Sequence, residues 1–256
     1  MGKYILGIDS GSTYCKAVLF GGNSIIDTAI VKSGWQPEKI AMEISNGICK
    51  ANNIEMDQCR VVSTGYGRES ISFAHKTLTE ITAHALGGFH LTPEISGIVD
   101  IGGQDSKVIK IKNGKVMNFY MNDKCAAGTG RFLDMACNTL EVPIDTLDLF
   151  LPTKEFVHIN SMCTVFAESE IIGLMSSNTP RELVLNGVLR SIAIRIQGML
   201  SKLAPQRNDV FLMTGGLSRS RQIVETISET TGFEIITNPK APFAGALGAA
   251  ISGADS

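Results

Sequence analysis

A self-match 91 positions apart constrains this 256-residue chain more than any other feature. Ile8-Asp9-Ser10-Gly11 leads to Lys16-Ala17-Val18, and Val99-Asp100-Ile101-Gly102 leads to Lys107-Val108-Ile109. Asp9 thus aligns with Asp100, Gly11 with Gly102 and Lys16 with Lys107. Each copy runs on to a Gly/Asn turn, Gly22-Asn23 in the first and Asn113-Gly114 in the second, and then into a third strand-like run, Ile25–Val31 and Lys115–Met121. Such turns accept positive φ and close tight hairpins, so each unit is predicted to be a three-stranded meander. Helical patterns follow both meanders, at Glu38–Ala51 and Gly130–Leu140, and a longer one fills Pro180–Leu203. Phe211–Thr214 reads as a strand, Gly215-Gly216 as a loop, Ser220–Thr231 as a helix, Glu234–Thr237 as a strand and Phe243–Ser252 as a small-residue helix. The expectation is a duplicated α/β fold with two lobes around a cleft. Residues 1–95, completed by a C-terminal helix at 243–256, form the first lobe, and residues 96–242 form the second.

Composition narrows the function classes. Hydrophobic residues at 44% and charged ones at 19% suit a globular core, and a formal charge of −2 leaves no basic footprint for nucleic acid. No apolar run reaches the ~20 residues that span a bilayer. Met1-Gly2-Lys3-Tyr4 runs straight into a strand-like segment with no secretion signal. The chain therefore reads as soluble and cytoplasmic, without a nucleic-acid or membrane partner.

The repeated Asp-x-Gly segments carry the first chemistry. A strand that ends in Asp and opens into Gly11-Ser12-Thr13 offers amide N–H groups and two hydroxyls at a strand mouth, which suits phosphate oxygens. Asp9 and Asp100, at the ends of paired strands, would face each other across the cleft and hold a Mg²⁺ that keeps several waters. Neither a Walker P-loop nor a G-x-G-x-x-G segment occurs. Glu80 and His84 lie four apart on one helix face, either as a plain helix pair or as a group in the cleft.

Six cysteines stand at 15, 49, 59, 125, 137 and 163, and none forms a CxxC pair. Cys15, Cys49, Cys59 and Cys137 read as inert core thiols. Cys125 and Cys163 each precede a helical pattern, where amide dipoles favour a thiolate. Read from the residues alone, they are either two more buried thiols or half of a cluster site. A [4Fe–4S] cluster takes four cysteines, and a two-fold dimer would supply four from two positions.

Taken together, the segments Asp9–Lys16, Asp100–Lys107, Met213–Ser218 and Gly245–Ala250 resemble the phosphate loops, adenosine loop and small-residue helix of the actin, sugar-kinase and heat-shock-chaperone ATPases. The resemblance implies a ribonuclease H-like, actin-like ATPase fold. It assigns Ser12, Thr13 and Lys16 to one phosphate group, Gly102, Gly103 and Gln104 to the other, and Gly215 and Gly216 to the adenosine. Gln104 would orient the attacking water, with Asp100 beside it.

A narrower resemblance rests on Asp-Ile-Gly-Gly-Gln-Asp (100–105), Asn-Asp-Lys-Cys-Ala-Ala-Gly-Thr-Gly-Arg-Phe-Leu (122–133), Cys-Thr-Val-Phe-Ala-Glu-Ser-Glu (163–170) and Thr64-Gly-Tyr-Gly-Arg68. These look like the 2-hydroxyacyl-CoA dehydratase activators, also called component A, relatives of the benzoyl-CoA reductase ATPase subunits. The resemblance implies a homodimer with one [4Fe–4S] cluster held by Cys125 and Cys163 of each copy. It further implies ATP/ADP and Mg²⁺ as cofactors and electron transfer from ferredoxin or flavodoxin to an acceptor iron–sulfur enzyme, either a dehydratase or a double-cubane protein. Thr129, in the loop after Cys125, is expected at the nucleotide. A small-molecule kinase of the N-acetylsugar type is the alternative on the same fold.

Overall fold

The computed structural model describes residues 4–122, 124–149, 155–160 and 164–254. Two compact units divide it: one gathers the chain up to Ile98 with Ile109–Asn118 and the residues from Asn238 onward, and the other gathers Val99–Val108 and Phe119–Thr237.

The first sheet contains β1 (Tyr4–Ser10), β2 (Tyr14–Gly21), β3 (Ser24–Lys32), β4 (Cys59–Thr64) and β5 (Lys76–Thr77), in the order β3-β2-β1-β4-β5. β1 pairs antiparallel with β2 and parallel with β4. The second sheet contains β6 (Gly97–Ile101), β7 (Ser106–Lys112), β8 (Lys115–Asn122), β9 (Val210–Thr214) and β10 (Glu234–Ile236). Its order, β10-β9-β6-β7-β8, is the same pattern once β6 is matched with β1. The two hairpin turns also match, since Gly22 and Asn23 have φ of 58° and 66°, and Asn113 and Gly114 have 52° and 73°. Both are the doubly positive turns that Gly and Asn permit and that fit the right-handed twist of the flanking strands.

Helices complete each unit. α1 (Pro37–Ala51) starts on a proline, carries Glu38 in its first turn, and buries Ala41, Ile44, Ile48 and Cys49 against the first sheet. α2 (Glu80–Leu91) is capped by Thr79, whose hydroxyl accepts the Thr82 N–H. It lies against α7 (Ala244–Ala254). Their approach is backbone to backbone: a Cβ on Gly248 would stand 1.8 Å from the Ala83 carbonyl oxygen, and one on Gly87 would stand 1.9 Å from that of Ala244. Only glycine fits at both positions.

In the second unit, α3 (Gly130–Thr139), α4 (Thr164–Ser176), α5 (Arg181–Lys202) and α6 (Arg221–Thr231) surround Phe132, Leu133, Val188, Ile192 and Phe211. Each such fully buried apolar side chain contributes roughly 1.5–3 kcal/mol. By length and composition α5 is apolar enough to cross a bilayer, but its Val184, Leu185, Val188, Leu189, Ile192 and Ile196 are buried in this core. α6 begins at Ser220 and ends at Gly232, whose φ of 74° closes the helix.

Candidate functional site

Two loops, one in each unit, carry the repeated aspartates. In the first, Asp9 is the penultimate residue of β1, at 4% exposure, opposite Lys16 of β2 and Thr64 of β4. Lys16 Nζ lies 3.8 Å from Asp9 Oδ2. The loop that follows is held by backbone and hydroxyl bonds: the Ser33 hydroxyl donates to Gly11 O (2.6 Å), Ser33 N to Thr13 O (2.9 Å) and Gly67 N to Ser10 O (2.9 Å). This leaves the Ser12 and Thr13 side chains exposed at the strand mouth. On α7, the point where a Cβ on Gly245 would stand is 3.0 Å from Asp9 Oδ2 and 3.1 Å from His84 Nε2. The absent side chain thus keeps the carboxylate, the imidazole and the helix in one small space. His84 is buried and Glu80 is half-buried.

The second loop repeats the scheme with tighter fastening. Asp100 is the penultimate residue of β6, at 2% exposure. Its Oδ1 accepts the Thr214 hydroxyl at 2.7 Å, and its Oδ2 lies 3.4 Å from Lys107 Nζ. Lys107, itself 1% exposed, reaches Asp105 at 2.8 Å. Gly102 N donates to Asp105 O at 2.9 Å, which closes the loop and leaves Gly102 and Gly103 half-buried and Gln104 exposed.

A second repeated feature, missed by the sequence reading, fences both aspartates. The strand beside each one ends in Thr-Gly: Thr64-Gly65 after β4 and Thr214-Gly215 after β9. Gly65 has φ of 89° and Gly215 has φ of 85°. Their backbones turn so close to the aspartates that a Cβ would stand 2.5 Å from Asp9 Oδ1 and 3.1 Å from Asp100 Oδ1. The signal was legible as Val61-Val-Ser-Thr-Gly65 against Phe211-Leu-Met-Thr-Gly215. Gly216 follows exposed, at the position expected near adenosine.

Cys125 precedes a short turn, Ala126–Gly128, that leads through Thr129 into α3. The Thr129 side chain is buried, and its hydroxyl donates to Ala126 O at 2.7 Å. The next two amides join the second loop: Gly130 N donates to Gly102 O (2.8 Å) and Arg131 N to Gly103 O (2.9 Å). Cys125 is half-buried and outside any disulfide, whereas Cys15, Cys49, Cys59 and Cys137 are buried. Burial pushes the Cys15 and Cys59 thiols up to about 12 and that of Cys137 to about 11, and it raises that of Cys49. Their placement matches the inert role read from the sequence. Cys163 lies outside the described residues.

The BadF/BadG/BcrA/BcrD ATPase family matches residues 6–253. The chain belongs to that family. It is 41% identical to the (R)-2-hydroxyglutaryl-CoA dehydratase activating ATPase of Acidaminococcus fermentans, over 98% of this chain and 97% of that one. The solved activator of the 2-hydroxyisocaproyl-CoA dehydratase from Clostridium difficile, with bound ADPNP, superposes with a TM-score of 0.92. It is 38% identical, covering 98% of this chain and 94% of that one. The ROK hexokinase of Thermus thermophilus, with a TM-score of 0.53 at 15% identity over 99% of this chain and all of that one, shares the fold alone. The chain therefore has the duplicated actin-like α/β fold, and the kinase alternative is not favoured.

Proposed function

We propose that this chain is an ATP-dependent reductive activator. In this reading a homodimer holds one [4Fe–4S] cluster through Cys125 and Cys163 of each copy, and ATP hydrolysis drives single electrons from ferredoxin or flavodoxin into a partner iron–sulfur enzyme. A 2-hydroxyacyl-CoA dehydratase or a double-cubane protein fits that partner. The observation that carries the reading is the short path between chemistries: four residues, Ala126–Thr129, separate the half-buried Cys125 from Gly130 and Arg131, whose amides donate to the carbonyls of Gly102 and Gly103. A loop that responds to the nucleotide would thus move the cysteine.

The described donors suit the groups assigned to them. Among the described cysteines only Cys125 is not fully buried, which suits a ligand to a cluster shared between two copies. Thr64 Oγ1, buried and with no hydrogen-bond partner among the described residues, sits in register with Asp9 and suits a water of a hydrated Mg²⁺. A [4Fe–4S] cluster supplies a one-electron store at low potential when bound. The chain's own residues do the rest. Ser12, Thr13 and Lys16 hold one phosphate group, and Gly102, Gly103 and Gln104 hold the other. Asp9 and Asp100 would hold Mg²⁺, Gln104 would orient the attacking water, and Gly215 and Gly216 would admit the adenosine. Thr129 acts through its turn, since its hydroxyl is already bonded. The energy scale makes nucleotide coupling sensible: raising one electron by ~300 mV costs about 7 kcal/mol.

Iron analysis on anaerobically purified protein, with EPR after dithionite reduction, tests the reading. About four irons per dimer and a reduced-cluster signal are expected, both lost in Cys125→Ser and in Cys163→Ser. No iron after anaerobic reconstitution overturns it.

A further inference from the structure

We infer that Asn122 is a positioning residue that fixes Cys125 and makes its placement depend on the Gly102-Gly103 loop. The inference rests on the reading above for what Cys125 ligates, but its geometry stands within the second unit alone.

Asn122 is the last residue of β8, and its side-chain amide brackets the Cys125 backbone. Nδ2 donates to Cys125 O at 2.8 Å, and Oδ1 accepts the Cys125 N–H at 3.3 Å. The same amide lies under the turn that follows, where the point for a Cβ on Gly128 is 3.3 Å from Asn122 Nδ2 and 3.1 Å from Arg195 Cδ. Arg195 is anchored on α5 by bonds from Nη1 to Ser191 O (3.1 Å) and Ser191 Oγ (2.7 Å). Cys125 therefore stands between two fixed points. On one side a strand end holds its backbone. On the other, the turn runs through the Thr129–Ala126 bond into the two amides joined to Gly102 and Gly103. Gly128 leaves little slack, because even a Cβ there would crowd both supports.

A displacement of Gly102 and Gly103 by a phosphate group pulls on Gly130 and Arg131. With Asn122 in place the turn cannot absorb that pull by letting Cys125 drift, so the displacement reaches the cysteine. Without Asn122, Cys125 gains freedom and the correlation is lost. No carbon side chain can replace it, since one donor and one acceptor are needed at the same point.

The test uses the full-length chain as wild type, Asn122→Ala and Asn122→Asp. The readout is the alkylation rate of Cys125 by iodoacetamide in iron-free protein, measured by peptide mass in the presence of ADP or ADPNP. In the wild type the rate should differ between the two nucleotides. In Asn122→Ala it should rise at least about fivefold with either one, as loss of two modest hydrogen bonds implies, and the difference should vanish. Asn122→Asp keeps the acceptor for the Cys125 N–H, so it should fall between the two, and it serves if the alanine variant fails to fold. A wild-type rate and nucleotide response in both variants overturns the inference, as does a wild type whose Cys125 ignores the nucleotide. The reading on which it rests fails separately, if reconstituted wild type holds no iron.

Discussion

At the scale of single residues, the chemistry is set by what surrounds each functional atom. Thr214→Val replaces a hydroxyl with a methyl of similar shape and removes the 2.7 Å bond to Asp100. A bond to a charged group contributes about 1.5–3 kcal/mol, so the variant should melt earlier by that free energy and lose ATPase activity. Denaturant titration with a turnover assay would check both, and wild-type values would free Asp100 from any dependence on Thr214. Gln104→Ala should slow turnover more than it weakens ATP binding, because Gly102, Gly103 and the other phosphate-binding groups would keep most of the ground-state affinity while the attacking water loses its orienting group. Equal losses in both would remove it from that role. Thiol environment makes a further prediction. In iron-free protein, among Cys15, Cys49, Cys59, Cys125 and Cys137, brief iodoacetamide treatment near neutral pH should label Cys125 first, since burial raises the other four thiols. Labelling of Cys59 at an equal rate would contradict their inert assignment. The aspartates were readable because Asp, Gly and Lys recur at one offset. Asn122 was not readable, since nothing in Asn-Asp-Lys-Cys says that the first side chain folds back onto the fourth residue.

Elements follow a similar division. The meanders were legible in the sequence because alternation and Gly/Asn turns are local signals. α2 was visible only as the Glu80/His84 spacing, because Gly87 and Gly88 argue against a helix on propensity alone. The structure shows what overrides propensity: Gly87 is where the α7 backbone sits. The α6 start makes a prediction at this scale. Asp148 accepts the Ser220 hydroxyl at 2.6 Å, the Arg221 N–H at 3.0 Å and the Gln222 N–H at 3.1 Å. Burial alone would raise its pKa, but the bonds from Ser220, Gln222 and Arg221 outweigh burial and hold the carboxyl below the usual range. A lowered folded-state pKa contributes stability above the unfolded pKa and loses it as pH falls through the folded one. Asp148→Asn should therefore cost about 1 kcal/mol or less near neutral pH, the carboxylate being exposed, and progressively less in acid. Paired denaturant melts across that range would check it, and a penalty independent of pH would point to geometry rather than charge.

Across the whole molecule, duplication is the organising fact. Both sheets share one strand order, and both aspartates are fenced by a Thr-Gly strand end, yet among the described residues only the second loop is tied to a cysteine turn. The two halves have kept their frame and differ in what is fastened to it. The glycine contact between α2 and α7 has a consequence for how the chain is made. β1 through α2 leave the ribosome long before α7, with the whole second unit synthesised in between. At ~5–20 residues per second that interval is roughly ten to thirty seconds. Throughout it, Val18, Phe20 and the backbone groove at Gly87 lack the helix that covers them. The half translated first is therefore the half that finishes folding last, with apolar surface uncovered while the second unit is still being made.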